Sequence, residues 1–163
     1  MTQNIILWSF DPFLYDHIDT IEKAKTLINS EDIKIAIWDT RDRESIFDIN
    51  HRVEIIKSYW FESKDILIIR NKEELRDALR SSNNIVKAVK NFDKKLMENI
   101  WKEFGISRRL AKNLHFMNIP RYSKVSSKKI LKAIYTGSSY NAVKDYINEF
   151  TYNEIRKKIK ESK

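Results

Sequence analysis

Asn4-Ile5-Ile6-Leu7-Trp8-Ser9-Phe10-Asp11-Pro12-Phe13-Leu14-Tyr15-Asp16-His17 holds an apolar run, a polar turn and the opening of a helix. The run predicts a short strand, and Asp11-Pro12 stops it because proline has no N–H for a ladder. Ile18, Ile21, Ala24, Leu27 and Ile28 recur every three to four residues and predict a helix whose first turn begins near His17. Asp16 stands where an N-cap belongs, with Asp19 in the first turn. A strand that feeds a helix start offers unpaired N–H groups to an anion such as phosphate.

Working outward, the 163-residue length fits one domain, with about two-thirds of the unfolded surface buried on folding. The expected organisation is a single domain over 1–163, with about 137–163 as a helical extension. Apolar residues make up 42% of the chain, which argues for a packed core rather than disorder. The absence of cysteine excludes disulfides, thiolate metal sites and a cysteine nucleophile. His17, His51 and His115 are too scattered to pair as metal ligands. No run reaches the ~20 apolar residues of a membrane span and no signal-peptide pattern opens the chain, so a cytoplasmic protein is expected.

Charge divides the sequence. Residues 1–80 carry 12 Lys and Arg against 16 Asp and Glu, whereas residues 81–163 carry 19 against 7. The basic half is suited to polyanions such as nucleotides, phosphorylated cofactors or nucleic acid, or is simply a solvated lysine-rich surface. The run Arg156-Lys157-Lys158-Ile159-Lys160 reads as a frayed, solvated helix end.

Further strands are predicted at 33–38, 65–69, 84–89 and 114–117. Helices are predicted from Asp48 through Ile49, Val53, Ile56 and Trp60, from Lys72 to Arg80, and over 91–112 with a break near Gly105. Beyond Pro120 come helices from Ser127 to Tyr135 and from Tyr140 to Phe150, then a charged tail from Asn153. Strands alternating with helices predict an α/β fold, a Rossmann-like doubly wound parallel sheet of about five strands with C-terminal helices.

Ser9-Phe10-Asp11-Pro12, followed by His17-Ile18-Asp19, resembles the nucleotidylyltransferase signature G-[ST]-F-D-P-x-[HT]-x-G-H, and most nearly that of phosphopantetheine adenylyltransferase. Three more segments follow in family order. Phe47-Asp48-Ile49-Asn50-His51-Arg52-Val53-Glu54-Ile55-Ile56 resembles F-[ST]-x-E-x-R-[VK]-x-[ML]-[IL], and Lys87-Ala88-Val89-Lys90 takes the place of R-G-L-R. Leu114 to Met117, with Tyr122-Ser123-Lys124-Val125-Ser126-Ser127, resembles F-L-M…[WY]-S-x-[IV]-S-S.

The resemblance implies transfer of AMP from ATP to 4′-phosphopantetheine, a step of coenzyme A biosynthesis, with release of pyrophosphate and with Mg2+ accompanying ATP. By the same resemblance His17 and Arg43 are the catalytic residues. Ser9, Phe10, Lys90, Tyr122, Ser126 and Ser127 hold ATP, while Ser9, Arg43 and Lys87 meet the phosphorylated substrate. The partners implied are ATP, a small phosphorylated substrate and further copies of the chain, since hexamers are common in the family. No membrane is implied, and nucleic acid is the least favoured partner. Read on their own terms, His17 also fits a half-buried helix start, Phe10 a core position and Ser126 a plain N-cap. Arg43, Lys87 and Lys90 fit solvated surface equally well.

The signature has departures. Trp8 stands for the first glycine, Leu14 for Thr or His, and Asp16 for the second glycine. Two other readings therefore accompany the enzyme: a relative that binds nucleotide or a partner without turnover, and a nucleic-acid binder acting through the basic half.

Overall fold

The computed structural model describes residues 3–39, 45–89, 102, 115–120 and 125–162, with the backbone alone at 87–89 and 115–120. The chain falls into two compact units. One comprises Met1–Ser9, Thr20–Thr40 and Lys64–Arg121; the other comprises Phe10–Asp19, Arg41–Ser63 and Tyr122–Lys163.

The first unit is built on a sheet of β1 (Gln3–Trp8), β2 (Lys34–Trp38), β3 (Ile66–Ile69), β4 (Ser82–Val89) and β5 (His115–Pro120). All neighbours pair in parallel, in the order β3-β2-β1-β4-β5. The order reverses at β1, the switch point of a doubly wound sheet, so the predicted Rossmann-like α/β class is the observed one. Ile5, Leu7, Ala36, Ile69 and Ile85 of the strands pack with Leu75, Ala78 and Leu79 of helix α3 (Lys72–Arg80). Asn71 starts α3 by accepting the Glu74 N–H at 2.9 Å, and the Glu74 carboxylate returns to the Arg70 N–H at 2.8 Å.

Helix α1 (Tyr15–Ile28) follows β1. It buries Ile21 and Ala24, but Leu27, expected on that face, is 56% exposed. β4 starts two residues earlier than expected, and β5 runs on to Pro120, which an edge strand tolerates. The helix expected over 91–112 lies outside the described residues apart from Lys102.

The second unit contains α2 (Ile49–Lys57), α4 (Ser127–Tyr135), α5 (Tyr140–Val143) and α6 (Glu149–Glu161). Asp48 caps α2 as expected, accepting the His51 N–H at 2.9 Å. The phase of α2 differs from the reading through Ile49, Val53 and Trp60: its buried side chains are Arg52, Ile55 and Ile56, followed by Tyr59. Trp60 lies past the helix end with φ +70° and is 81% exposed, so it no longer shares the helical period.

The single helix expected from Tyr140 to Phe150 is instead one turn followed by a new helix, and the charged tail is the body of α6. Asn148 makes the new start by accepting the Thr151 N–H at 2.9 Å. Thr151, Ile155 and Ile159 are then buried at i, i+4 and i+8, which leaves the lysines between them on the other face. Glu154 bonds Lys157 on its own helix, and His51 Nε2 of α2 lies 2.6 Å from its other oxygen.

Two outcomes are expected from this geometry. A left-handed backbone costs an L-residue about 1–2 kcal/mol, and glycine gives back about 0.4–1 kcal/mol in the unfolded chain. Trp60→Gly, which removes little buried surface, should therefore raise unfolding stability in urea by about 0.5 kcal/mol. The Lys157 and His51 bonds hold the Glu154 carboxyl below its ordinary range. The linked stability is complete above the unfolded-state value and is lost as pH falls through the folded-state one. Glu154→Gln should thus narrow its stability deficit against the parent between about pH 5 and pH 3, and a deficit independent of pH would exclude the linkage.

Candidate functional site

The signature turn leaves β1 at Ser9, which is half-buried and closes the first unit's opening segment. Phe10 follows with φ +49° and a fully buried ring. A bulky residue in this region is an outlier that the surrounding structure must hold in place. The hold comes from stacking: the Phe10 ring stands edge-on to His17 at 5.2 Å and lies 5.4 Å from Phe13, which is itself 5.1 Å from His17.

Asp11 turns the other way. Its two oxygens accept the Ile46 and Phe47 N–H groups at 2.7 and 3.1 Å, tying the start of the α2 segment to the signature. Burial pushes its carboxyl up, against the opposing pull of those two bonds and of the Arg52 charge. Phe47 and Arg52, picked out in the second family-like segment, are thus neighbours of the first. Arg52 is almost wholly buried, and Asp11 is half-buried.

His17 is the third residue of α1 and is 3% exposed. Its Nδ1 accepts the Leu14 N–H at 2.8 Å, so the neutral ring carries its proton on Nε2. The imidazole performs the task of a capping-box glutamate, reaching back from the third helical position to the residue before the helix. Asp16, expected as the cap, is the second residue of the helix. The open anion site expected at this helix start is also corrected. Protein groups take the Leu14 N–H (His17 Nδ1), the Tyr15 N–H (Tyr146 carbonyl, 2.9 Å) and the His17 N–H (Leu14 carbonyl, 3.0 Å).

The remaining candidates are spread along the fold. Ser126 caps α4, with the Lys129 N–H donated to its carbonyl at 2.9 Å and its hydroxyl at 3.4 Å; Ser127 is the first helical residue. Lys87 is a position on β4, one residue beyond the Val86 that pairs with Ile6 of β1. Arg43, Lys90 and Tyr122 lie outside the described residues. The structure therefore brings Phe10 and His17 into contact, and puts Ser126 and Ser127 at one helix start. Among the described residues no group of three or more His, Cys, Asp or Glu side chains is placed to hold a metal ion. No helix among them is long and apolar enough to cross a membrane.

Sequence reasoning passed over Tyr59. Its hydroxyl donates to the Phe13 carbonyl at 3.2 Å, and its ring lies 5.1 Å from Phe13 and from Tyr15. Burial pushes its phenol up to about 12. The available signal was helical phase, because Arg52, Ile55, Ile56 and Tyr59 form a stripe once Trp60 is removed from the helix.

Sequence comparison with curated proteins finds no match. Structural comparison finds the nicotinic acid mononucleotide adenylyltransferase of Plasmodium falciparum, in complex with NaAD. It matches at TM-score 0.59 and 18% identity, over 95% of each chain. A putative nicotinate-nucleotide adenylyltransferase from Vibrio parahaemolyticus matches at TM-score 0.62 and 12% identity, over 95% of this chain and 99% of that one. Thermotoga maritima TmcAL bound to α-thio ATP matches at TM-score 0.63 and 12% identity, over 99% of this chain and 56% of that one. At these identities the likeness establishes the fold. The cytidylyltransferase-like family model matches residues 8–133, from the end of β1 through most of α4. A match over that span, on this switch-point sheet, makes the chain a member of the cytidylyltransferase-like family of nucleotidylyltransferases.

Proposed function

We propose that this protein transfers AMP from ATP to the phosphate of a small acceptor, and that 4′-phosphopantetheine is that acceptor. The observation that carries the reading is the extent of the family match, which includes the Ser9 to His17 signature and the Ser126–Ser127 helix start in one span. The acceptor rests on the signature and on the three segments that follow it. The Plasmodium neighbour is a nicotinic acid mononucleotide adenylyltransferase and the Vibrio one a putative nicotinate-nucleotide adenylyltransferase, so that mononucleotide is the second acceptor to test.

In the proposed reaction an oxygen of the acceptor phosphate attacks the α-phosphorus of ATP. The bond from that phosphorus to the bridging oxygen breaks, and pyrophosphate leaves with the electron pair. Such chemistry asks the protein for positioning and for donors aimed at growing negative charge. His17 supplies Nε2–H as a neutral donor, because Nδ1 is engaged by Leu14. Ser126 and Ser127 offer hydroxyls at a helix start, where the backbone dipole favours phosphate. Arg43 and Lys90 supply charge for ATP phosphates, Lys87 and Ser9 meet the acceptor phosphate, and Phe10 and Tyr122 line the nucleotide side. Magnesium enters with ATP as a counterion of its phosphates.

Two observations favour a second reading, nucleotide binding without turnover. Leu14 buries an apolar side chain where the family signature has Thr or His, and Asp16 adds a carboxylate to the first turn of α1. The test is pyrophosphate release with Mg-ATP and each acceptor, alongside calorimetric titration of the same ligands. The transferase reading expects release only when ATP and acceptor are both present. It also expects His17→Ala to lower kcat by about 10²–10³-fold, the size of one lost transition-state donor. ATP binding without release for any acceptor would move the protein to the second reading.

A further inference from the structure

A single peptide group lies behind His17. The Phe13 carbonyl and the Leu14 N–H belong to the same amide. The carbonyl accepts the Tyr59 hydroxyl at 3.2 Å, and the N–H donates to His17 Nδ1 at 2.8 Å. The Tyr59 oxygen in turn accepts the Asn148 N–H at 3.1 Å, at the cap of α6, and the Thr151 hydroxyl lies 3.1 Å from the same oxygen. Asn148, Tyr59, the Phe13–Leu14 amide and His17 thus form one chain of hydrogen bonds with every donor pointing the same way. Tyr59, Phe13, Leu14, His17 and Thr151 are all buried, so water does not compete between Tyr59 and His17.

We propose that Tyr59 is a positioning residue for His17: through the Phe13–Leu14 amide it fixes the imidazole with its proton on Nε2, and the start of the C-terminal helix anchors it. The inference rests on the proposed transferase only in giving Nε2–H a phosphate oxygen to meet. Bonds in a directional chain polarise one another, so a hydroxyl on the carbonyl makes the N–H of that amide a better donor to Nδ1. The opposite tautomer would set an Nδ1–H against the Leu14 N–H, two donors face to face. The phenol keeps its proton through the neutral range because burial holds it near 12. The Phe10 and Phe13 rings, which both pack against the imidazole and against each other, restrict its plane.

The test is a long-range proton–nitrogen correlation spectrum of the histidine rings in the nucleotide-free protein, with His17 assigned by His17→Gln. Wild type is expected to show a pyridine-type Nδ1 and a pyrrole-type Nε2. In Tyr59→Phe the His17 nitrogens should move toward a mixture of tautomers. Its kcat should fall about 2- to 10-fold, the worth of one hydrogen bond, with the KM for ATP unchanged. Thr151→Val, which keeps the phenol but takes a hydroxyl from its oxygen, should shift the same signals by less, and it serves where Tyr59→Phe does not fold. A pyrrole-type Nδ1 in wild type overturns the proposal, and so do unmoved His17 signals in a folded variant. Wild-type protein that gives the expected signals, and moves them in the variants, but releases no pyrophosphate keeps the relay and overturns the transferase.

Discussion

The sheet depends on β1 being paired along both sides. β2 takes one edge and β4 the other, and Ile5, Ile6 and Leu7 are buried between them. A strand paired on both edges and buried on both faces has little freedom in register, because a slip of one residue would swap the side chains of its two faces and break the fit of Ile5, Ile6 and Leu7 against both layers. That fixed register sets where the strand ends, and the end of the strand is where Ser9 and the signature turn begin. Trp8, half-buried at that boundary, is compatible with the sheet even though its place in the family signature belongs to glycine.

The alternation of strand and helix was legible in the sequence because each apolar run has the length and period of its element. Lys72–Arg80 and Ser127–Tyr135 have the expected bounds, and β2 and β3 lie within a residue of them. The failures share a cause. Leu27 and Trp60 were placed on buried faces by period alone, yet period cannot report a helix end or a left-handed residue. The tail looked solvated because its lysines outnumber its isoleucines. What decides its structure is Asn148, a cap whose side chain also donates to the Ser58 carbonyl and hydroxyl at 3.0 and 2.8 Å. Such long-range bonds leave no local trace in the chain.

The candidate site was legible in part. His17 and Phe10 were found from the signature, and they are in contact. The amides at the start of α1 were expected to await an anion, and those of Leu14, Tyr15 and His17 are instead bound to protein. The partners are the His17 ring and the segment after α5. The ring of His17 takes the backbone N–H of Leu14, and Tyr146 supplies the carbonyl for Tyr15. A histidine used in this way is both a structural cap and an oriented donor, and the two roles use different ring nitrogens.

The bonds behind His17 also bear on the order in which the protein matures. Phe13 and Tyr59 are 46 residues apart, and Asn148 lies 89 beyond Tyr59. During synthesis the amino-terminal strands and helices emerge first, and the cap of α6 follows well after Tyr59. The imidazole therefore waits for Asn148 before its surroundings are complete. A growing chain can assemble its sheet while its histidine is still unset, and the ring is set only once the cap of α6 has been made.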